Sequence, residues 1–135
     1  MNRLVRLSRT SIGRKLLVAI TGLLLGLFVI AHLMGNLLVF KGQEAFNAYA
    51  DYLKGHPLLW VGRLGLLLVL LIHLYTALRL VRENREARNG RYVVDATVQA
   101  SLASRHMLMT GLLVLAFVVY HLLHLTFGVI HSEHF

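Results

Sequence analysis

The chain has 135 residues and a net charge of +8; 57% of its residues are hydrophobic and 15% are charged, a balance that excludes an ordinary soluble domain with a charged surface. It has no cysteine, which excludes disulfides, thiolate metal sites and iron–sulfur clusters held by this chain. The basic residues lie mainly before and between long apolar segments, as in membrane proteins. We therefore expect a membrane lipid environment and no nucleic-acid partner.

Three apolar segments follow in chain order, at about residues 16–40, 58–81 and 107–130. Each exceeds the roughly 20 residues that an α-helix needs to cross a hydrocarbon core. The first is also too long for the apolar part of a signal peptide. We predict an all-α fold, a transmembrane helical bundle with three membrane-spanning helices, forming a single domain over residues 1–135.

The connections between these segments differ in character. Residues 41–57 place Ala45, Phe46, Tyr49, Tyr52 and Leu53 at helical spacing, which predicts a short amphipathic helix on the membrane surface. The loop 82–106 is basic, and Asn89–Gly90 predicts a turn in it. Because basic segments stay on the cytoplasmic side, we expect the N-terminus and this loop inside and residues 41–57 outside.

One pattern occurs twice. Residues 21–32 read "TGLLLGLFVIAH" and residues 110–121 read "TGLLVLAFVVYH". Both segments run outward, so His32 and His121 lie at similar depth, roughly 24 and 21 Å from the inner ends of their helices. His73 lies on the inward helix, roughly 12 Å above the inner surface. The histidines therefore occupy two levels, one outer and one inner.

A histidine within a membrane span is costly without a partner and suggests function. Its possible roles are an interhelical hydrogen bond, a proton relay or ligation of iron. Matched histidines at one depth favour the two axial ligands of a haem between helices. Four small residues lie near the histidine faces: Thr21, Gly35, Gly62 and Thr110. They leave room for a porphyrin, although close helix packing accounts for them equally well.

Other polar residues in the spans have two interpretations each. His124, one turn after His121, is a second candidate for haem binding, or it makes a hydrogen bond or a contact with quinone. Arg63 and Arg79 lie near the outer and inner ends of the second span. They either extend to the two membrane surfaces or bind haem propionates through their bidentate guanidinium groups. His56, His106, His131 and His134 are expected at the interfaces or in solvent.

The stretches "TGLLLGLFVIAHLMGN", "IHLYTALR" and "MTGLLVLAFVVYHLLH" resemble the cytochrome b membrane-anchor subunit of succinate:quinone and fumarate:quinone oxidoreductases, of the dihaem, five-helix type. The resemblance implies that His32 and His121 ligate the iron of one haem b. It implies that His73 ligates a second haem, together with a histidine from a later helix. A departure from the family is that this chain has three spans and lacks the fourth histidine. Either the sequence is a shortened form or the remaining helices come from another polypeptide, and in both cases we expect the fourth ligand from outside this chain.

The same resemblance implies partners. A flavoprotein and an iron–sulfur subunit would dock on the cytoplasmic side of the inner membrane, and electrons would pass between the iron–sulfur subunit and a quinone, with menaquinone favoured. Ser11, Arg14 and Lys15 resemble the Ser-Ile-x-x-Arg stretch near the quinone in related anchors. The alternative is that Ser11 caps the first helix and the two basic residues follow the positive-inside tendency.

Two other functions are compatible with the sequence. The chain could be a haem-free structural anchor or assembly subunit, or the dihaem cytochrome b of another respiratory complex. A proton or metal transporter is disfavoured, because all three apolar segments lack acidic residues.

Overall fold

The computed structural model describes residues 10–87 and 100–130. Within these two ranges all regular structure is helical, which confirms the predicted all-α class. The two ranges belong to two separate units, and each unit is described by itself. The predicted turn at Asn89–Gly90, His131, His134 and the three N-terminal arginines before residue 10 lie outside the described residues.

Helix α1 spans Ser11–Asn36 and continues as a 3₁₀ turn over Leu37–Lys41. It begins five residues before the predicted start because Thr10 caps it: the Thr10 hydroxyl accepts a hydrogen bond from the backbone N–H of Gly13 at 3.0 Å. The alternative that Ser11 is the cap was therefore wrong by one position. The 3₁₀ turn ends at Gly42, whose φ of +104° is a backbone conformation that glycine adopts readily.

Helix α2 spans Gln43–Gly55 and confirms the predicted short amphipathic helix. Its half-buried residues share one face: Ala45, Phe46, Ala50 and Leu53. The Tyr49 ring packs against Gly35 near the end of α1, and a Cβ added to Gly35 would lie 2.9 Å from Tyr49 Cε1. The missing side chain at Gly35 is therefore what admits the tyrosine and docks α2 on α1.

Helix α3 spans Leu58–Glu86 and follows directly after Pro57. It extends five residues past the predicted end at 81. Ion pairs one turn apart account for this extension: Arg79 Nε contacts Glu83 Oε1 at 3.0 Å and Arg82 Nε contacts Glu86 Oε1 at 2.7 Å. Such pairs stabilise a helix after its apolar face has ended.

The contact between α1 and α3 is lined by polar side chains. Among the described residues only Arg14, Thr21 and Thr76 are buried, and no apolar side chain is. In lipid there is no hydrophobic driving force between helices, so helices associate through small and polar residues while apolar side chains face outward. This arrangement is the inverse of a soluble protein core.

The second unit contains α4 over Leu102–Arg105 and α5 over Met107–Leu125. Helix α5 ends five residues before the predicted 130. The chain turns after Leu125, with Gly128 at a φ of +61° and the N–H of Val129 donating to the carbonyl of Leu123 at 3.0 Å. The predicted third span is therefore correct in its start and shorter at its end.

Within residues 10–87 and 100–130, three segments are long and apolar enough to cross a membrane: Ser11–Lys41, Leu58–Glu86 and Met107–Leu125. They correspond to the three predicted spans and confirm the transmembrane, multi-pass character of the chain.

Candidate functional site

The structure places His73 against α1. Nδ1 of His73 lies 3.0 Å from the hydroxyl oxygen of Thr21. Thr21 is buried and His73 is half-buried. A Cβ added to the neighbouring Gly22 would lie 3.2 Å from His73 Cε1, so the imidazole edge rests on a glycine. Thr21 and Gly22 together form the surface of α1 that receives this histidine.

A second contact joins the same two helices closer to the start of α1 and the end of α3. Nη2 of Arg14 lies 2.7 Å from Oε2 of Glu83, and the side chains are 11% and 30% exposed. Arg14 precedes Thr21 on α1, whereas its partner Glu83 follows His73 on α3. Helices α1 and α3 are therefore antiparallel. His32 lies eleven residues after Thr21 on α1, and Gly62 lies eleven residues before His73 on α3. In an antiparallel pair, His32 and Gly62 are therefore at the same level.

At this level the first unit has His32 on α1 and two glycines, Gly62 and Gly65, on α3. His32 is exposed, and its ring stacks on Phe28, one turn earlier, with 5.3 Å between ring centroids. On α3, a Cβ added to Gly62 or Gly65 would meet nothing within 4 Å. The described residues therefore leave space beside Gly62 and Gly65 on α3, at about the level that His32 occupies on α1.

His121 repeats the local environment of His32 on α5. Its ring packs on Phe117, one turn earlier, with 5.6 Å between centroids and 32° between planes; the planes of the Phe28–His32 pair meet at 27°. The repeat thus includes an aromatic residue four positions before each histidine. His32 and His121 belong to different units, so their pairing as ligands of one iron stays a prediction.

His124 lies near the end of α5 and takes part in the turn that closes it. Its Nδ1 is 3.1 Å from the carbonyl oxygen of Ile130, and its ring stacks on Tyr120 at 5.8 Å with 10° between planes. A hydrogen bond from Nδ1 to a backbone carbonyl fixes the orientation of an imidazole ring. Metal-ligating histidines commonly make such a bond. The geometry is compatible with either of the roles predicted for His124.

The two arginines of α3 are both exposed. The Arg63 guanidinium lies over the Trp60 ring, 5.1 Å from its centroid, a cation–π contact. Besides its contact with Glu83, Arg79 donates from Nη1 to the Tyr75 hydroxyl at 3.2 Å. These contacts hold both guanidinium groups beside aromatic residues, and both interpretations of the arginines, interfacial positioning and propionate binding, remain predictions.

The three residues predicted near the quinone are separated by the structure. Arg14 is buried, whereas Ser11 and Lys15 are exposed. Arg14 lines a groove of about 380 Å³ with Leu17, Ile72, Thr76 and Arg79, a volume within the usual range for small-molecule sites. Of the three, only Arg14 lines this groove among the residues that the structure describes.

Two features of the site were missed by the sequence analysis. Thr21 was placed beside His32 because both lie on one stripe of α1; the structure shows that its hydroxyl contacts His73 instead. Glu83 falls within the predicted inner loop 82–106, but it lies on α3 and pairs with the buried Arg14. The available signal was the polar character of Thr21, Arg14 and Glu83, since polar groups near a membrane span seek partners on neighbouring helices.

Comparisons with known proteins leave the family open. No family model, no curated protein and no solved structure matches this chain.

Proposed function

We propose that this chain is a haem b-binding membrane-anchor subunit of a succinate:quinone or fumarate:quinone oxidoreductase. In this proposal it carries electrons between an iron–sulfur subunit and a membrane quinone, and it takes no part in succinate chemistry. The observation that carries the proposal is the repeated Thr-Gly…Phe…His unit, with an aromatic ring packed on each histidine one turn earlier.

The repeat supports haem binding because bis-histidine haem needs imidazoles on two helices at one depth. His32 and His121 are the proposed axial ligands of one haem, which would supply one-electron transfer when bound. The space beside Gly62 and Gly65 on α3, at about the level of His32, is compatible with this assignment. Phe28 and Phe117 would shield the two ligand rings from lipid and hold their orientation.

His73 is the proposed ligand of a second haem at the inner level. The remaining ligand of that iron would be a histidine on a membrane helix outside residues 1–135. Arg63 and Arg79 are proposed to compensate propionate charges at the outer and inner levels, with His124 as a further haem contact. Arg14 is the strongest of the three proposed quinone residues, because it lines the groove between α1 and α3.

The proposed partners and location follow from the resemblance of the three spans to the dihaem anchor family. A flavoprotein and an iron–sulfur subunit would bind on the cytoplasmic face of the inner membrane, and the N-terminus would lie on that side. Menaquinone is the favoured quinone.

A haem-free structural anchor is the second candidate, and one observation favours it. The Thr21–His73 contact joins α1 and α3 directly, which is what a histidine with a purely structural role would do. A dihaem cytochrome b from another respiratory complex would share the haem ligands and differ in its partner subunits.

A reduced-minus-oxidised spectrum of the membrane complex purified through this chain tests the proposal. We expect a b-type α band from two haems. His32→Gln and His121→Gln should each remove the same haem and spare the one held by His73. His106→Gln is the matched control, because His106 is exposed at the start of α5, and it should leave the spectrum unchanged.

Three outcomes would decide against parts of the proposal. A complex without a b-type α band would exclude haem binding and favour the structural anchor. Equal loss of both haems in His32→Gln would contradict the pairing with His121. A mass-spectrometric inventory of the complex that contains haem but no flavoprotein would assign the chain to another respiratory complex.

A further inference from the structure

The hydroxyl group of Thr21 has one proton, and the structure shows where that proton goes. Thr21 Oγ1 lies 2.7 Å from the carbonyl oxygen of Leu17 and 3.2 Å from that of Val18. Two oxygens at 2.7 Å require a proton between them, and a carbonyl has none to give. The Thr21 hydroxyl therefore donates to its own helix, chiefly to Leu17.

The other threonines of the membrane-spanning helices behave in the same way. Thr76 donates to the carbonyl of Ile72 at 2.7 Å, and Thr110 donates to the carbonyls of His106 and Met107 at 3.1 Å each. Bonding back to the preceding turn is the common local choice of a threonine within a helix. The direction of the Thr21 hydroxyl is thus set by its helix and not by the histidine opposite.

The proton in the Thr21–His73 contact must then come from the imidazole. Thr21 Oγ1 keeps lone pairs that accept, so Nδ1 of His73 is the donor and bears hydrogen. A neutral imidazole has one N–H, which leaves Nε2 with its lone pair. This tautomer is assigned from the hydrogen-bond network. Among the described residues, Nε2 of His73 has no hydrogen-bond partner.

We infer that Thr21 is a positioning residue that holds His73 as the Nδ1–H tautomer and presents its Nε2 lone pair as a ligand for haem iron. The role toward iron rests on the proposed function, whereas the tautomer rests on the described contacts alone. Gly22 contributes by letting the imidazole edge lie against α1. Ligating histidines typically donate their second N–H to a fixed acceptor, which orients the ring and makes it a stronger donor to the metal.

Variants of two equivalent threonines separate this role from general packing. Thr21→Val keeps the shape of the side chain and removes the acceptor, whereas Thr21→Ser restores a hydroxyl. Thr110→Val is the matched control: Thr110 occupies the corresponding position of the repeat and makes the same backward bonds. Within the described part of the chain, its hydroxyl bonds to backbone carbonyls and not to a histidine side chain.

The first measurement is ¹⁵N NMR of histidine-labelled full-length chain in lipid nanodiscs without haem, with His73→Gln identifying the His73 signals. We expect Nδ1 protonated and Nε2 unprotonated in the wild type, Thr21→Ser and Thr110→Val. Thr21→Val should lose this single state and show the Nε2–H tautomer. A wild-type His73 protonated at Nε2, or a Thr21→Val spectrum identical to wild type, would overturn the tautomer assignment.

The second measurement is haem content and reduction potential of the purified membrane complex. In Thr21→Val we expect affinity for the His73-bound haem to fall about 10- to 100-fold, the usual effect of losing such a partner. The potential of that haem should rise, because a weaker donor ligand stabilises ferric iron less. Thr21→Ser should restore both properties, and Thr110→Val should change neither.

The two measurements distinguish failure of this inference from failure of the proposed function. If wild-type complex contains both haems and Thr21→Val leaves their content and potentials unchanged, the positioning role is wrong and the proposed function stands. If the complex contains no haem, the proposed function is wrong, and the proposed role of Thr21 toward haem iron is wrong as well. The NMR result then shows whether the tautomer holds as a structural feature.

Discussion

Separating Arg14 from Glu83 should loosen the pairing of α1 and α3. Nη2 and Oε2 are 2.7 Å apart, and the side chains are 11% and 30% exposed. The gross Coulomb attraction at this distance is about 6 kcal/mol at an effective dielectric constant of 20. Desolvation offsets most of it, and breaking a fully buried pair costs about 3–5 kcal/mol. Because Glu83 keeps partial access to its surroundings, we expect a coupling energy of about 1–3 kcal/mol.

A double-mutant cycle of Arg14→Gln, Glu83→Gln and the double variant measures this coupling without the Arg79–Glu83 contribution. Unfolding in mixed micelles can be followed by the fluorescence of Trp60, the single tryptophan, and extrapolated linearly to zero denaturant. Glu86→Gln is the matched control. Glu86 pairs with an arginine at the same 2.7 Å, but the side chains are 80% and 60% exposed and lie on one helix. It should show no measurable loss of stability.

A coupling energy indistinguishable from zero would refute the reasoning. So would a loss in Glu86→Gln as large as that in Glu83→Gln, because the effect would then reflect charge removal and not a contact between helices.

Two glycine substitutions test the other close approaches. Gly35→Ala places a Cβ 2.9 Å from the Tyr49 ring, so α2 should detach from α1 and become sensitive to protease. In the control Gly26→Ala, the added Cβ meets nothing within 4 Å, and the variant should stabilise α1 by up to about 1 kcal/mol. Equal protease resistance of the two variants would contradict this. Gly22→Ala places a Cβ 3.2 Å from His73 Cε1 and should shift the ¹⁵N signals of His73 without abolishing its hydrogen bond, and unchanged signals would argue against the close contact.

The helices themselves could be predicted from hydropathy and their ends could not. Lengths of 24 or 25 apolar residues identify three spans because the thickness of a bilayer fixes the scale. The ends depend on local hydrogen bonds and ion pairs that hydropathy does not register. Thr10 extends α1 backward as a cap, and the pair between Arg82 and Glu86 supports the last turn of α3.

The candidate site was predictable along each helix but not between helices. A rise of 1.5 Å per residue gives the position of each of these residues along its own helix: His32, His73 and His121. That argument needs no partner helix. Which side chain meets which depends on rotation and register, and these are set by contacts across the pair. Thr21 illustrates the difference: it was predicted near His32 of its own helix, whereas its hydroxyl contacts His73 of α3.

The two contacts between α1 and α3 do not contribute equally to that register. From Arg14 to Thr21 is a rise of about 10.5 Å along α1, whereas Glu83 to His73 is about 15 Å along α3. The mismatch of about 4.5 Å must be absorbed by the reach of the side chains that make the two contacts. A threonine hydroxyl sits one bond beyond Cβ and has almost no reach, so Thr21 fixes where His73 lies. The long side chain of Arg14 spans the remainder. The level of His32 on α1 relative to Gly62 on α3 therefore follows from one short polar contact, which hydrophobic periodicity along a single helix cannot reveal.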